Sequence, residues 1–315
     1  MKNILVVGGA GYVGGAITDL IQDQKFNVRV YDNLLYEDSF RKEVDFIAGD
    51  VRDTARLLPH IHWADTVVWL AAIVGDGACQ LNPDLTVAVN EEPVRWLANN
   101  YDGRIVFMST CSVYGAQDKE LDEDSPTNPL SLYAATKLRA ESLLKNKNAI
   151  IFRLGTLFGV GDLYARIRMD LVVNALTVKA YTQGKLSVFG GEQFRPLLHV
   201  KDVAQAVVTN LKTDYTGIFN LHRQNVRIVD LAYQVRNHFP DCVIERTEMP
   251  FQDTRNYRVN SRKARDVFGF TPKHSIDDGI EELKFLVENG RIKDINASRY
   301  SNQAYLSNLK ELKAA

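Results

Sequence analysis

Cysteine is scarce in this 315-residue sequence, and charge of one sign is nowhere concentrated. Cys79, Cys111 and Cys242 are odd in number and far apart. That excludes a disulfide framework or a cysteine-built metal site and points to a reducing compartment, read here as the cytoplasm. Formal net charge is −1 with no block of like charges, so neither nucleic acid nor an anionic membrane is expected as a partner. The longest apolar run, Val67 to Val74, is too short to span a bilayer. The chain enters a strand at once, so no signal peptide is expected. Internal repeats and low-complexity linkers are lacking, and the six histidines are dispersed. What remains, 45% hydrophobic and 24% charged, is an ordinary globular composition on a chain long enough for a large core or two lobes.

Glycine, by contrast, is concentrated near the start. Residues 3–14 read Asn-Ile-Leu-Val-Val-Gly-Gly-Ala-Gly-Tyr-Val-Gly, an apolar run feeding Gly8, Gly9, Gly11 and Gly14. A helical pattern follows through Ala16, Ile17, Leu20 and Ile21, and a second apolar run ends at Asp32. The spacing predicts a strand, a tight turn, a helix and a strand closed by a carboxylate. Such glycines let a pyrophosphate approach the first helical amides, where unpaired N–H groups and the helix dipole favour anions. Gly8, Gly11, Tyr12, Val13 and Gly14 are the candidate cofactor residues of the turn. Asp32, 21 residues after Gly11, is placed to accept from the adenosine ribose hydroxyls and to repel a 2′-phosphate, which favours NAD over NADP. The plainer alternative is a glycine turn that only packs.

Strand-like and helix-like segments alternate to about residue 155. Strands are expected over 44–48, 65–72, 104–108 and 149–153, and helices over 83–99 and 132–145. Apolar strands in β-α alternation imply a parallel sheet covered on both faces, a Rossmann-type doubly wound α/β fold. Ligands of such sheets sit at the carboxyl ends of the strands. Those ends are Gly8, Asp32, Asp50, Ala71-Ala72, Ser109-Thr110 and Gly155, all small or polar. From residue 156 loops lengthen, with helices expected over 169–182, 203–211, 228–238 and 276–289 and short strands at 186–189 and 218–221. We divide the chain into a dinucleotide-binding domain, 1–155, to which later segments can return, a smaller mixed α/β substrate lobe, 156–296, and a tail, 297–315. Leu306, Leu309 and Leu312 recur in that tail at helical spacing, which suits either a helix docked on a second subunit of a homo-oligomer or a loosely packed surface helix.

Tyr133 and Lys137 lie four apart in a helical pattern, hence on one face, at the start of the helix after the fifth strand. A tyrosine titrates near ~10, so as a base it needs positive charge beside it. Lowering that value by ~3 units takes about 4 kcal/mol, within reach of an ammonium and a nicotinamide ring in a dry pocket. Tyr133 would take a proton from a substrate hydroxyl, Lys137 would also hold the nicotinamide ribose, and Thr110 would orient the reacting oxygen. The bland counterparts are a surface tyrosine with a lysine neighbour and a strand-end threonine capping a turn.

These residues resemble the extended short-chain dehydrogenase/reductases, specifically the NAD-dependent epimerase/dehydratase family of nucleotide-sugar enzymes. The resemblance covers nearly the whole chain. Its carriers are Gly8-x-x-Gly11-x-x-Gly14, Asp32-Asn33-Leu34, Gly49-Asp50-Val51, Leu70-Ala71-Ala72, Asn90, Ser109-Thr110…Val113-Tyr114-Gly115, Tyr133-x-x-x-Lys137 and Arg153-Leu154-Gly155, then Val188-Phe189-Gly190, Arg195-Pro196-x-x-His199-Val200-x-Asp202 and Asp253-x-Arg255-x-Tyr257. It implies that Asn33 and Leu34 join Asp32 at the cofactor, that Asp50 and Val51 flank the adenine, that Leu70, Ala71 and Ala72 line the cofactor path and that Asn90 supports it. Thr110, Tyr133 and Lys137 become the catalytic set. Arg195 falls where the family meets a sugar-nucleotide diphosphate, Arg255 and Asp253 near the nucleotide, and Leu186 to Phe189, with Val188, beside its base. Ser112 and Asn174 are further substrate candidates. A planar guanidinium suits phosphate oxygens, although a surface ion pair is the alternative for each arginine.

Two departures narrow the reading. Where dehydratases of the family resemble one another in an acidic pair after the threonine, this chain has Cys111-Ser112, which argues against dehydration. Arg166 and Arg168, with Tyr164, are expected to shape the sugar pocket. The run from Arg168 to Asn174, with Phe189 to Pro196, resembles a bacterial branch tied to surface polysaccharides, nearest to oxidation of C4 in a GDP-linked manno-heptose for capsule. We therefore expect C4 oxidation of a nucleotide-diphosphate sugar, with release of NADH or its reoxidation by a second small oxidant. A 4-epimerase, a 4-keto reductase and a non-catalytic NAD-binding scaffold are the competing readings. His199 is expected at a helix start and Asp202 as that helix's cap.

Overall fold

The computed structural model describes residues 1–22, 25–164, 166–247 and 255–314. In chain order the elements of the first half are β1 (Lys2–Val7), α1 (Tyr12–Gln22), β2 (Phe26–Asp32), β3 (Asp45–Ala48), α2 (Thr54–Trp63), β4 (Thr66–Trp69), α3 (Asp76–Leu81), α4 (Pro83–Asn90), α5 (Glu92–Asn100), β5 (Arg104–Thr110), β6 (Ala116–Leu121), α6 (Leu132–Leu144) and β7 (Ala149–Leu154). The second half contributes β8 (Thr156–Phe158), α7 (Val172–Gln183), β9 (Lys185–Phe189), β10 (Phe194–His199), α8 (Val200–Asn210), β11 (Gly217–Leu221), β12 (Gln224–Arg227), α9 (Ile228–Asn237), β13 (Val243–Thr247), β14 (Asn256–Val259), α10 (Arg262–Phe268), α11 (Ile276–Glu288) and α12 (Asn302–Ala314).

Seven strands form one sheet in the order β11-β7-β5-β4-β1-β2-β3, with every pairing parallel. Successive side chains of a strand face opposite ways, so β1 feeds two cores. Ile4 and Val6 join the apolar cluster under α1 and α8, and Leu5 and Val7 join the one under α2, α5 and α6. The strand order reverses between β1 and β4, and there the crevice opens. The chain returns to this sheet late, since β11 pairs with β7 and α8 packs on α1.

The remaining strands make three small sheets, β12-β10-β8, β13-β9 and β14-β6, over the carboxyl edge of the large one. Phe158, Val173, Leu186, Val188, Leu197 and Leu231 share a separate core there. The stretch 83–99, read from the sequence as one helix, breaks at Glu91, where Pro93 cannot supply an amide to continue the first ladder. The tail folds onto its own chain, with α12 against α3, Tyr305 against Tyr36 (ring centroids 5.5 Å apart) and Leu306 against the cluster of Ile73, Ala78 and Cys79. No helix among the described residues is long and apolar enough to cross a membrane.

Candidate active site

A single cavity of about 1110 Å³ runs along the carboxyl edge of the sheet, from the glycine turn after β1 to the small sheets of the second half. At its head, Gly8 has φ +84° and its amide donates to the Tyr31 carbonyl at 2.8 Å. A Cβ on Gly8 would lie 2.5 Å from the Ala71 nitrogen, so only glycine lets β1 and β4 converge at the switch point. A Cβ on Gly14 would meet the Gly9 backbone at 2.5 Å, which fixes how closely α1 approaches the turn. Gly8, Gly11, Tyr12, Val13 and Gly14 all line the cavity, beside the open amino end of α1.

Asp32 closes β2. Its Oδ1 accepts from Leu34 N at 2.7 Å and its Oδ2 from Ala10 N at 3.0 Å, tying the turn to the second strand. Burial pushes this carboxyl upward, while the amides of Leu34, Ala10 and Asn33 pull it back. Each oxygen keeps a second lone pair for a ribose hydroxyl. Asp50 is held by Arg52 (Nη2 to Oδ2, 2.8 Å) and by Asn33 (Nδ2 to Oδ2, 3.3 Å), and the arginine beside it depresses its carboxyl to about 2. Asn33, Leu34, Val51, Leu70, Ala71 and Ala72 complete this half of the wall. Tyr36 lines it too, with its buried hydroxyl unpaired. Open amides, a carboxylate with spare lone pairs and an orphaned hydroxyl are a donor and acceptor set that fits a dinucleotide with a free ribose 2′-hydroxyl.

At the middle of the cavity Tyr133, Lys137 and Thr110 share the wall. Ser131 caps α6, its hydroxyl accepting from Ala134 N at 3.2 Å, so that Tyr133 sits in the first turn. Lys137 lies one turn on, 3% exposed, and its Nζ donates to the Met108 carbonyl at 2.8 Å. Burial brings this lysine down to about 8, and it pushes the Tyr133 phenol up, aided by Cys79 and Asp76, with Arg168 opposing. Thr110 Oγ1 donates to Ser112 Oγ at 3.1 Å, and Ser112 Oγ lies 3.3 Å from the Tyr257 hydroxyl, a chain of three hydroxyls along one wall. Beneath it, Glu141 receives Ser109 Oγ at 2.5 Å and pairs with Arg153 at 2.7 Å. Cys111 points away from this site. Its thiol donates to the Arg153 carbonyl at 3.2 Å, and burial pushes it too high to shuttle protons at neutral pH.

Toward the second half the lining includes Val188, Arg195 and Arg255. Arg195 Nη1 donates to the Phe194 carbonyl at 2.8 Å and to the Arg255 carbonyl at 2.5 Å, which anchors the two arginine segments together.

The sequence pattern of the NAD dependent epimerase/dehydratase family matches residues 4–221, more than half of the chain. The chain belongs to that family. It is 27% identical over 320 residues to a UDP-glucose 4-epimerase of Corynebacterium glutamicum, covering 91% of this chain and 94% of that protein. It is also 27% identical over 306 residues to UDP-glucuronic acid decarboxylase 6 of Arabidopsis thaliana, covering 88% and 86%. In fold it is similar to an NAD-dependent NDP-hexosamine 5,6-dehydratase of tunicamycin biosynthesis, with a TM-score of 0.81, 23% identity and coverage of 93% and 100%. The protein is thus of the NAD-dependent epimerase/dehydratase enzyme type, and NAD is its cofactor.

Within this epimerase/dehydratase frame several residues stand elsewhere than expected. Asn174 is not on the cavity wall. It is fully buried and its amide is consumed by the Gly159 amide (2.9 Å) and the Arg168 carbonyl (2.8 Å). Asn90, given from the sequence as a support of the cofactor path, clamps both backbone groups of the wall residue Ile73 at 2.8 and 2.9 Å. Arg166 and Arg168 line the cavity from beside the glycine turn, over the rings of Tyr36 (4.2 Å) and Tyr12 (5.9 Å), because buried guanidinium groups seek aromatic faces and carboxylates. Arg168 pairs with Asp170 at 2.6 Å, and Tyr164 is exposed outside this cavity. His199, not Asp202, caps α8, with Nδ1 accepting from Lys201 N at 3.2 Å. Asp202 instead accepts from the Lys273 and His274 amides. Asp253 lies outside the described residues. Sequence reasoning passed over Asp76, Asp170, Tyr36 and Asn302 of the wall, and left Tyr257 without a role. Only the glycines flanking Asp76 offered a local signal.

Proposed function

We propose that this protein oxidises the C4 hydroxyl of a nucleotide-linked sugar to a 4-keto sugar nucleotide. The supporting observation is the joint placement of Tyr133, Lys137 and Thr110 midway along a cavity that has the glycine turn at one end and Arg195 and Arg255 at the other. NAD, when bound, supplies the hydride acceptor. Arg195 and Arg255 meet the diphosphate and set the depth of the sugar. Thr110, itself aligned by Ser112, holds the C4 oxygen. Tyr133 takes the hydroxyl proton as general base. Its phenol is poorly disposed to ionise in this dry wall, so proton removal waits for positive charge beside it, to which Lys137 contributes from its perch on Met108. The sequence resemblance supports a GDP-linked manno-heptose for capsule as substrate, while the matched relatives are named for UDP sugars.

One observation favours 4-epimerisation as a second reading. Ser301, Asn302 and Gln303 of the tail join the cavity wall, where they would help to retain the cofactor while hydride returns to the same sugar. Incubation of the purified protein with UDP- and GDP-linked sugars, followed by nicotinamide absorbance and product NMR, tests both. Loss of the C4 proton with accumulating reduced nicotinamide is expected for oxidation. Inversion at C4 without net reduction would select the epimerase. No change at C4 with any sugar would overturn both.

A further inference from the structure

A smaller cavity, of about 300 Å³, adjoins the cofactor cavity and shares Glu37 and Arg166 with it. Its lining gathers four arginines from four stretches of chain: Arg41 between β2 and β3, Arg166 after β8, Arg291 after α11 and Arg299 in the 3₁₀ turn Ser298–Tyr300. Against these four guanidinium groups the lining sets two carboxylates, Glu37 and Asp38, a local positive excess in a chain whose net charge is −1. Glu37 is already engaged. Its Oε1 accepts from Arg166 N at 2.8 Å, and burial pushes its carboxyl up while Arg166 and Arg299 hold it back. The Arg166 guanidinium is engaged too, donating to the Arg299 carbonyl at 2.7 Å and lying over Tyr36. Arg41 Nε donates to Ser39 Oγ at 3.0 Å, which steadies that side chain. Neither Arg41 nor Arg299 is paired with a carboxylate among the described residues. Guanidinium forks around a small space suit the oxygens of a doubly charged phosphate. Tyr164, more than half exposed, and Tyr300 offer ring surface in the same lining for a carbon body behind it.

We propose that this smaller cavity binds a small phosphate monoester through Arg41, Arg291 and Arg299, apart from the cofactor and sugar sites, and that filling it retains NAD. The coupling follows from what the walls are made of. Arg41 belongs to the stretch that leads on from Asp32, Asn33 and Leu34 at the cofactor. Arg299 and Tyr300 lead into Ser301, Asn302 and Gln303 of the cofactor cavity, and the Tyr300 carbonyl accepts from Met169 N at 2.8 Å. A dianion held between Arg41 and Arg299 ties the stretch after β2 to the tail, across the adenosine end of the cavity. By linkage, NAD tightens the phosphate by the factor by which the phosphate tightens NAD. None of this depends on whether the sugar is oxidised or epimerised.

The test is titration calorimetry of the full-length protein, loaded with NAD, near pH ~7.5, above the second phosphate ionisation. The probes are ribose 5-phosphate, inorganic phosphate and, as a doubly charged control without a phosphoryl group, succinate. Wild type is compared with Arg41→Ala, Arg299→Ala and, for the sugar-nucleotide end of the large cavity, Arg195→Ala. Thermal midpoint and NAD fluorescence quenching serve as folding controls. Wild type should bind ribose 5-phosphate, and Arg41→Ala and Arg299→Ala should each lose about 10- to 100-fold in affinity, as expected for hydrogen bonds between charged groups. Arg195→Ala should change by less than about twofold. Inorganic phosphate and succinate should bind more weakly than the ester. In stopped-flow displacement, ribose 5-phosphate should slow NAD release about fivefold in wild type and leave it unchanged in Arg41→Ala. No binding, binding that survives in both arginine variants, or binding lost in Arg195→Ala instead would overturn the site. Succinate or inorganic phosphate matching the ester would overturn its assignment to a phosphate monoester. NAD release that ignores the bound ester would overturn the coupling.

Discussion

Lys137 Nζ donates to the carbonyl of Met108, 2.8 Å away, in the strand that ends at Thr110. The lysine therefore ties the helix of the phenol to the strand of the threonine. Burial brings its titration down to about 8, against ~10.4 for an exposed lysine. Below about 8 the group is charged in both folded and unfolded chains, and the burial penalty is present in full. Between the two values the unfolded chain holds one more proton, so stability rises with pH, by up to about 3 kcal/mol. Lys137→Met lacks that rise. Urea unfolding of both proteins near pH ~7 and near pH ~10 should show wild type gaining on the variant. A difference that is the same at both pH values would contradict the burial of an ionisable group here.

Glu141 and Arg153 sit beneath the reacting wall, their side chains 3% and 4% exposed, paired at 2.7 Å. Removing one partner strands the other charge in the core. Glu141→Ala should cost about 3–5 kcal/mol, read as a lower urea midpoint with an unchanged slope. Because Glu141 also receives Ser109, adjacent to Thr110, activity should fall even where the variant remains folded.

Asn302 joins three segments that are distant in sequence. Its Nδ2 donates to the Val74 carbonyl at 2.9 Å, its amide to Asp170 Oδ2 at 2.9 Å, and its Oδ1 accepts from Arg166 Nη2. Asn302→Ala removes both side-chain bonds and leaves Arg166 short of an acceptor. NAD should then dissociate about 10-fold faster in stopped-flow displacement, and faster still from a chain ending at Ala297. An unchanged rate would mean that the tail helix does not hold the cofactor in.

These residues also mark where the sequence could be read and where it could not. The turn from Gly8 to Gly14 and the carboxylate at Asp32 were legible because strand, turn, helix and strand follow one another within a single unit. Tyr133 and Lys137 were legible because one helical turn separates them. The contact between Asn302 and Val74 spans 228 positions, and no local pattern encodes it. The strand Gly217–Leu221 was foreseen as a strand, but a five-residue strand carries no mark of the sheet it will join. Asn174 resembled a ligand residue in kind, and its amide turned out to be needed by buried backbone groups nearby. The pairing of Asp76 with Arg255 emerges only when the loop after β4 meets the arginine before β14.

The most direct test follows a deuterium label from C4 of the accepted nucleotide sugar in a single turnover, in wild type and in Tyr133→Phe. Wild type should deliver the label to the nicotinamide, and the phenylalanine variant should do so about 100-fold more slowly or worse while binding NAD as tightly. Label transfer at the wild-type rate without the phenol, or label that stays on the sugar in wild type, would contradict Tyr133 as the base of a C4 oxidation.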